Sequence, residues 1–373
     1  MRILLIISLL MLIASSETVS AVDDSVPITA PKSNSTVRLV AVGDMLLGRG
    51  IGSRIRKYGT SWLLENVEQT LQTGDICFGN LESPLTLRNT NTSPGFVFRG
   101  DPKMAQVFSD AGFKALAVAN NHSMDQGRGG LEDTINNLIN AGIAPVGGGI
   151  GPDEPYQARY IESNGLKIAF IGAQNVIPSD SAPRMAGVAR LDTHHQLIEV
   201  KKAAQKADFV VVSLHWGKEY SHYPDSSQIE LAHKLVDSGA DLILGHHPHV
   251  LQGMERYKGA LIVYSLGNFA FDQKDEPTRR SVILLVDLMR NGKVSDPVVV
   301  PIRLDDFRPF IDSTSNGLKT LEELSEYGHT FGINGITNFA TISFDTILTP
   351  NATDKSTEPD KEKPDENLPP GVF

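Results

Sequence analysis

Apolar residues along the chain gather in short unbroken runs separated by segments of helical period. Residues 38–42, 76–78, 115–119, 209–214 and 242–244 are continuous rather than alternating. That pattern predicts strands covered on both faces. Further strand-like runs cover 166–171, 261–264, 282–288 and 298–302. Leu131, Ile135, Leu138 and Ile139 recur at helical spacing before Gly142, and Ile229, Ala232, Leu235 and Val236 do so before Gly239, predicting two helices with one buried face and a glycine stop each. A helix is expected around 318–327 and a strand near 340–344. No internal repeat is visible, and the alternation is that of an α/β fold. Gly147-Gly148-Gly149 follows a short apolar run with no helix start behind it. It reads as a loop, which argues against a dinucleotide-binding protein.

The two ends break this pattern. Arg2 precedes a nearly unbroken apolar stretch over 3–14, and Val19-Ser20-Ala21 offers a small-x-small site. This predicts a secretory signal peptide over 1–21 and an extracytoplasmic or secreted protein, with an uncleaved membrane anchor as the alternative. Residues 22–36 read as a linker, 37–348 as one domain, and 349–373 as a disordered acidic, Pro-rich tail. The 373 residues carry 34 Lys+Arg against 44 Asp+Glu, a net charge of −10. That balance argues against sequence-independent nucleic-acid binding. The sole cysteine, Cys77, excludes an internal disulfide and a thiolate zinc site, while ten histidines stay available as ligands. Asn34, Asn91, Asn121 and Asn351 each begin a glycosylation acceptor pattern, a short pattern that often matches by chance.

The chemistry lies where the five runs stop. They end at Gly43-Asp44, Asn80-Leu81-Glu82, Asn120-Asn121-His122, His215-Trp216-Gly217 and Gly245-His246-His247-Pro248-His249. Ligands of open α/β sheets bind beyond the carboxyl ends of strands. If these strands are neighbours, their Asp, Glu, Asn and His side chains converge on one crevice. Taken singly, Asp44 reads as a cap or turn residue, Glu82 as a loop charge, Asn121 as a turn former and His215 as a packing histidine. Taken together they predict a metal site. Oxygen and imidazole donors suit Mn, Fe, Zn or Mg, and a set of this size suits one or two divalent ions.

With Ser265-Leu266-Gly267-Asn268-Phe269 added, these blocks in this order resemble the CapA family, capsule-synthesis proteins linked to poly-gamma-glutamate. The likeness runs from about Val37 to Pro301. It implies a four-layer metallophosphatase-like sandwich, two central mixed sheets flanked by helices. It also implies that Asp44 binds one metal and Glu82 bridges two. Asn121, His215 and His247 would hold the second ion, His249 would return to the first, and His122 would act as general acid or orienting group. True metallophosphoesterases carry Asp-x-His in the first block and a bridging aspartate; this chain has Asp44-Met45-Leu46 and Glu82. One metal position therefore loses an imidazole.

Arg49, Lys218, Tyr220 and Asn268 form the candidate substrate-side set. The first three suit a carboxylate or phosphate, and Asn268 also suits hydrogen-bond support of the ligand shell. The function expected is an exported metal-dependent hydrolase of a phosphoester or gamma-glutamyl-type amide. The competing expectation is a non-catalytic component that binds an anionic polymer within a membrane-bound synthesis or export complex.

Overall fold

A computed structural model describes residues 36–90, 97–176, 187–331, 333–338 and 341–344. The expected signal peptide, most of the linker, the tail, and Asn34, Asn91 and Asn351 lie outside the described residues. Each long apolar run is a strand. Thr36–Met45 is flanked on one side by the parallel strands Ile76–Leu81, Phe113–Ala117 and Ala144–Val146, and on the other by antiparallel Arg280–Met289 and then Val298–Asp305. A second sheet places Ala260–Val263, Leu242–His246, Phe209–His215 and Leu166–Gln174 side by side and parallel, with antiparallel edge strands at each end. The glycine run expected to be a loop instead forms a short ladder, Gly148–Gly149 against Gly187–Val188.

The runs are continuous because each sheet is sandwiched. One face of the first sheet (Leu39, Ala41, Phe78, Ala115) meets one face of the second (Ile168, Phe170, Val211, Leu244) in a shared core. There the Phe78 and Phe170 rings stack at 5.5 Å. The alternate residues Val40, Val42 and Leu116 pack outward against Ile51, Ile55 and Phe108 of flanking helices. Val210, Val212 and Ile243 pack against Val200, Ala232 and Leu235 on the far side. Helix, sheet, sheet and helix make the four layers that the resemblance implies.

The helices follow the expected periods, with one correction. In Gly127–Asn140, Leu131, Ile135 and Leu138 are buried, but Ile139 is 56% exposed. One helical step of about 100° from Leu138 carries it off the packed stripe. Helix Ser226–Asp237 starts with a reciprocal cap: Asp225 accepts from the Gln228 backbone N–H, and the Gln228 side chain accepts from that of Asp225. The helix expected around 318–327 is Ser315–Tyr327, and the strand expected near 340–344 is Thr341–Phe344. Among the described residues no helix is long and apolar enough to cross a membrane.

Candidate metal centre

Four of the five strands run further than their apolar runs, and the third, Phe113–Ala117, stops short of its run. Asp44 and Asn80 are the last residue but one of their strands, and His215 and His246 the last of theirs. The five ends do not belong to one sheet, as neighbouring strands would require. Three come from the first sheet and two from the second, and they meet because both sheets bring their carboxyl ends to the same edge of the sandwich. Two glycines let these strand ends pass neighbouring main chain closely. A Cβ on Gly43 would stand 1.9 Å from the Gly267 carbonyl oxygen, and one on Gly245 would stand 1.9 Å from that of Tyr264. With no side chain in the way, the Asp44 N–H donates to the Gly267 carbonyl at 2.9 Å. Asp44 then lies level with Asn268 on one side and Asn80 on the other.

Asp44 is fully buried. Its Oδ1 accepts from Asn80 Nδ2 at 2.8 Å and its Oδ2 from the His247 backbone N–H at 3.1 Å. His246 Nδ1 stands 3.2 Å from Oδ1 and His249 Nδ1 3.4 Å from Oδ2. Asn80 also donates to Glu82 Oε2 at 3.3 Å and reaches His215 Nδ1 at 3.3 Å. Asn120 fixes that amide's direction by donating to Asn80 Oδ1 and to the Leu81 carbonyl. Glu82 Oε1 lies 3.7 Å from His249 Nε2 and has no hydrogen-bond partner.

From the second sheet, His215 Nε2 reaches Asn121 Oδ1 at 2.8 Å, and the His215 and His247 rings are 4.8 Å apart. His247 and His249 flank Pro248 with φ of 96° and 58°. Left-handed backbone at non-glycine residues costs energy and clusters at functional sites. Here it turns both imidazoles inward within one three-residue bend, which the Tyr220 N–H ties down through the Pro248 carbonyl at 2.8 Å. His249 Nδ1 meets Asn268 Oδ1 at 2.9 Å, and the Asn268 amide is oriented in turn by donating to Gln273 and to the Thr278 carbonyl. His249 Nε2 is thereby left toward the site.

His122 sits at the rim. Its Nδ1 is 3.0 Å from Asp125 Oδ2, and its ring lies 4.1 Å from that of Phe98. Of the substrate-side set, Arg49 is held by an ion pair with Asp272 and lies over Phe98. Lys218 is exposed, and Tyr220 is half-exposed and accepts from Gln273. Asn268 is fully buried and contacts His249, a placement compatible with the supporting part of its two expected ones. Asn80, Asn120, Asp125, His246, Glu219 and Gln273 belong to the site and lie outside the set expected from sequence. Asn80, Asn120 and His246 stand inside the strand-end blocks as polar residues without an assigned task, and Asp125 stands three residues past one of them. Glu219 lies between Lys218 and Tyr220, while Gln273 carries no signal in the sequence.

The electrostatics are those of a cation pocket. Burial raises the Asp44 carboxyl's proton affinity, but the imidazoles of His246 and His249 outweigh it and hold the group well below the usual range. Burial drives Glu82 well above its ordinary value, with Asp44 adding to the effect. Burial and the neighbouring His247 push His215 well down. Burial and His249 lower His247 to about 4. Against burial, the charges of Glu82 and Asp44 raise His249 to about 9. Donor atoms of Asp44, Glu82 and His215 lie within 4.8 Å of one another, as do those of Glu219, His247 and His249. Glu82 Oε1 and His247 Nδ1 are buried without a hydrogen-bond partner. Such orphaned donors are costly unless something pairs with them. Carboxylates and imidazoles without thiolate fit a divalent cation.

The profile of the family described as "Bacterial capsule synthesis protein PGA_cap" matches residues 38–273. The capsule biosynthesis protein CapA of Bacillus anthracis is 33% identical over 289 residues, 74% of this chain and 70% of its own. The PGA biosynthesis protein CapA of Bacillus subtilis is 35% identical over 256 residues, 67% of each chain. A protein named "Probable polyglutamine synthesis accessory protein" from Mycobacterium tuberculosis is 25% identical over 284 residues, 70% of this chain and 75% of its own. With its sandwich fold and strand-end donors in place, the chain belongs to the PGA_cap family of bacterial capsule synthesis proteins.

Proposed function

We propose that this chain is an exported metal-dependent hydrolase of capsule or poly-gamma-glutamate synthesis, cleaving a phosphoester or gamma-glutamyl-type amide of an anionic substrate. The observation that carries the reading is the buried cluster of Asp44, Glu82, His215, His247 and His249, two of whose donor atoms are orphaned, with a His122–Asp125 pair at its rim. Asp44, Glu82, His215, His247 and His249, with the Asn121 carbonyl oxygen, would hold the cation. When bound there, a divalent ion lowers the pKa of water and neutralises charge on a phosphoryl or carbonyl oxygen.

The protein's own residues do the rest. Asn80 and the His247 N–H fix the Asp44 carboxylate, and Asn268 fixes His249. Asp125 holds the Nδ1 side of His122, so Nε2 is the atom that passes a proton to a leaving oxygen or nitrogen. Asp272 and Phe98 hold the Arg49 guanidinium in place, where a substrate carboxylate or phosphate would meet a pre-set charge. Export rests on the basic start and apolar run over 2–14, and the partners that follow are membrane-bound polymer synthase components.

A second reading, a polymer-binding component without turnover, is supported by Leu46, apolar and buried two residues after Asp44. One experiment separates the two. The purified chain is assayed on phosphoesters and on poly-gamma-glutamate with Mn, Zn, Fe and Mg, beside Asp44→Ala, His247→Ala and His122→Ala. Metal content should fall in the first two with circular dichroism unchanged. His122→Ala should keep its metal and lose about 10²–10⁴-fold in rate. Unchanged metal content in Asp44→Ala and His247→Ala overturns the site. Metal binding without turnover leaves the polymer-binding reading.

A further inference from the structure

One imidazole in the pocket, that of His246, has no hydrogen-bond partner. His246 is 1% exposed, and both of its ring nitrogens are buried without a hydrogen-bond partner. A buried imidazole must bear a proton or a lone pair on each nitrogen, and leaving both unmatched costs free energy. Its direction follows from register. His246 pairs with His215 on the adjacent parallel strand, and in-register neighbours project from the same face of a sheet. It therefore stands beside His215 on the face turned to the first sheet. The Phe78 ring, 6.3 Å away, belongs to the apolar core on that face. Its Nδ1 lies 3.2 Å from Asp44 Oδ1 yet makes no hydrogen bond to it. Two donors that share a cation at about 2.1 Å stand roughly 3 Å apart. The segment that carries Asp44 supplies no imidazole of its own, since the residues after it are Met45, Leu46 and Leu47, all buried and apolar.

We infer that His246 is a direct metal ligand, completing with Asp44 and His249 the position that would otherwise be short of an imidazole. The inference rests on the pocket being a metal centre and adds a donor to it. A residue that merely orients a ligand also weakens metal binding, by about 10–100-fold when removed, so affinity alone does not discriminate. The test counts coordinated nitrogens. The purified chain, labelled with ¹⁵N-histidine and stripped of metal, is reloaded with ¹¹³Cd, and imidazole nitrogens coupled to cadmium are resolved by NMR. Four coupled imidazoles are expected, from His215, His246, His247 and His249, and His246→Gln should remove one. Three coupled imidazoles that all persist in His246→Gln overturn the inference and leave His246 as a neighbour of Asp44. If His246→Gln does not fold, the count in the unaltered chain decides between four and three. If the unaltered chain shows no coupled imidazole, the metal-centre reading itself falls and the inference falls with it.

Discussion

His249 reaches the site through Nε2 because Asn268 holds Nδ1, and Asn268 cannot turn because its amide nitrogen is committed to the Thr278 carbonyl and to Gln273. Asn268→Ala should therefore leave the fold standing and weaken metal binding about 10–100-fold, read by competition against a chelating dye. A change of less than about threefold would remove Asn268 from the ligand shell. Protons make a second prediction. Without metal, the Glu82–His249 pair keeps a proton through neutral pH, since His249 is raised to about 9 and Glu82 is raised as well. His215 and His247 are already neutral there, being lowered. A cation must displace that one shared proton. Mn(II) affinity should thus rise about tenfold per pH unit from 6.5 and level off near pH 9. A flat profile over that window would show that the pair does not bind the ion. Legibility at this scale was uneven. Asp44, Glu82, His215 and His247 stood out as donors where apolar runs stop. His246 and Asn80 stood next to them, and only strand register and atomic contacts show that they face the pocket.

Gly43 and Gly245 explain at the scale of elements why these strands deliver their donors together. Each lies where a strand end passes a neighbouring main chain too closely for any Cβ. Gly245→Ala would drive a methyl group into the Tyr264 carbonyl and push Leu242–His246 away from the segment at 264–267. The expected cost is about 1–3 kcal/mol or more in urea unfolding, with metal content falling because His246, His247 and His249 shift together. Stability loss with full metal content would show that the bend at Pro248 holds its histidines independently of the strand. The strands themselves were legible, because burial on both faces leaves continuous apolar runs. Their ends were not: in four of the five the ladder runs one to three residues past the apolar run and takes in a polar donor, while the strand Phe113–Ala117 stops before its apolar run does. Ile139 failed for a similar reason, since one apolar residue at the border of a helical stripe does not show which side of the border it takes.

At the scale of the molecule, periodicity identifies strands buried on both faces without saying which sheet each joins. Partners such as Phe78 and Phe170 are 92 positions apart in the sequence. That assignment decides how the site works. Asp44 and Glu82 come from one sheet, while His215, His247 and His249 come from the other. A cation held among them therefore ties the two sheets together at the edge where the shared core ends. The unfolded chain has no such constellation, so binding is coupled to folding and stabilises the native state by mass action. At a free metal concentration of 100 times Kd the gain is about 2.7 kcal/mol, which for a domain of this size raises Tm by roughly 5 °C. Mn(II) added to metal-free protein should produce that shift in a thermal melt, and a chelator should reverse it. Asp44→Ala removes a donor on a strand of the first sheet and His247→Ala one in the bend that follows a strand of the second, so each should abolish most of the shift although they belong to different sides of the sandwich. An equal rise in Tm for both variants and the unaltered chain would place the ion elsewhere on the acidic surface.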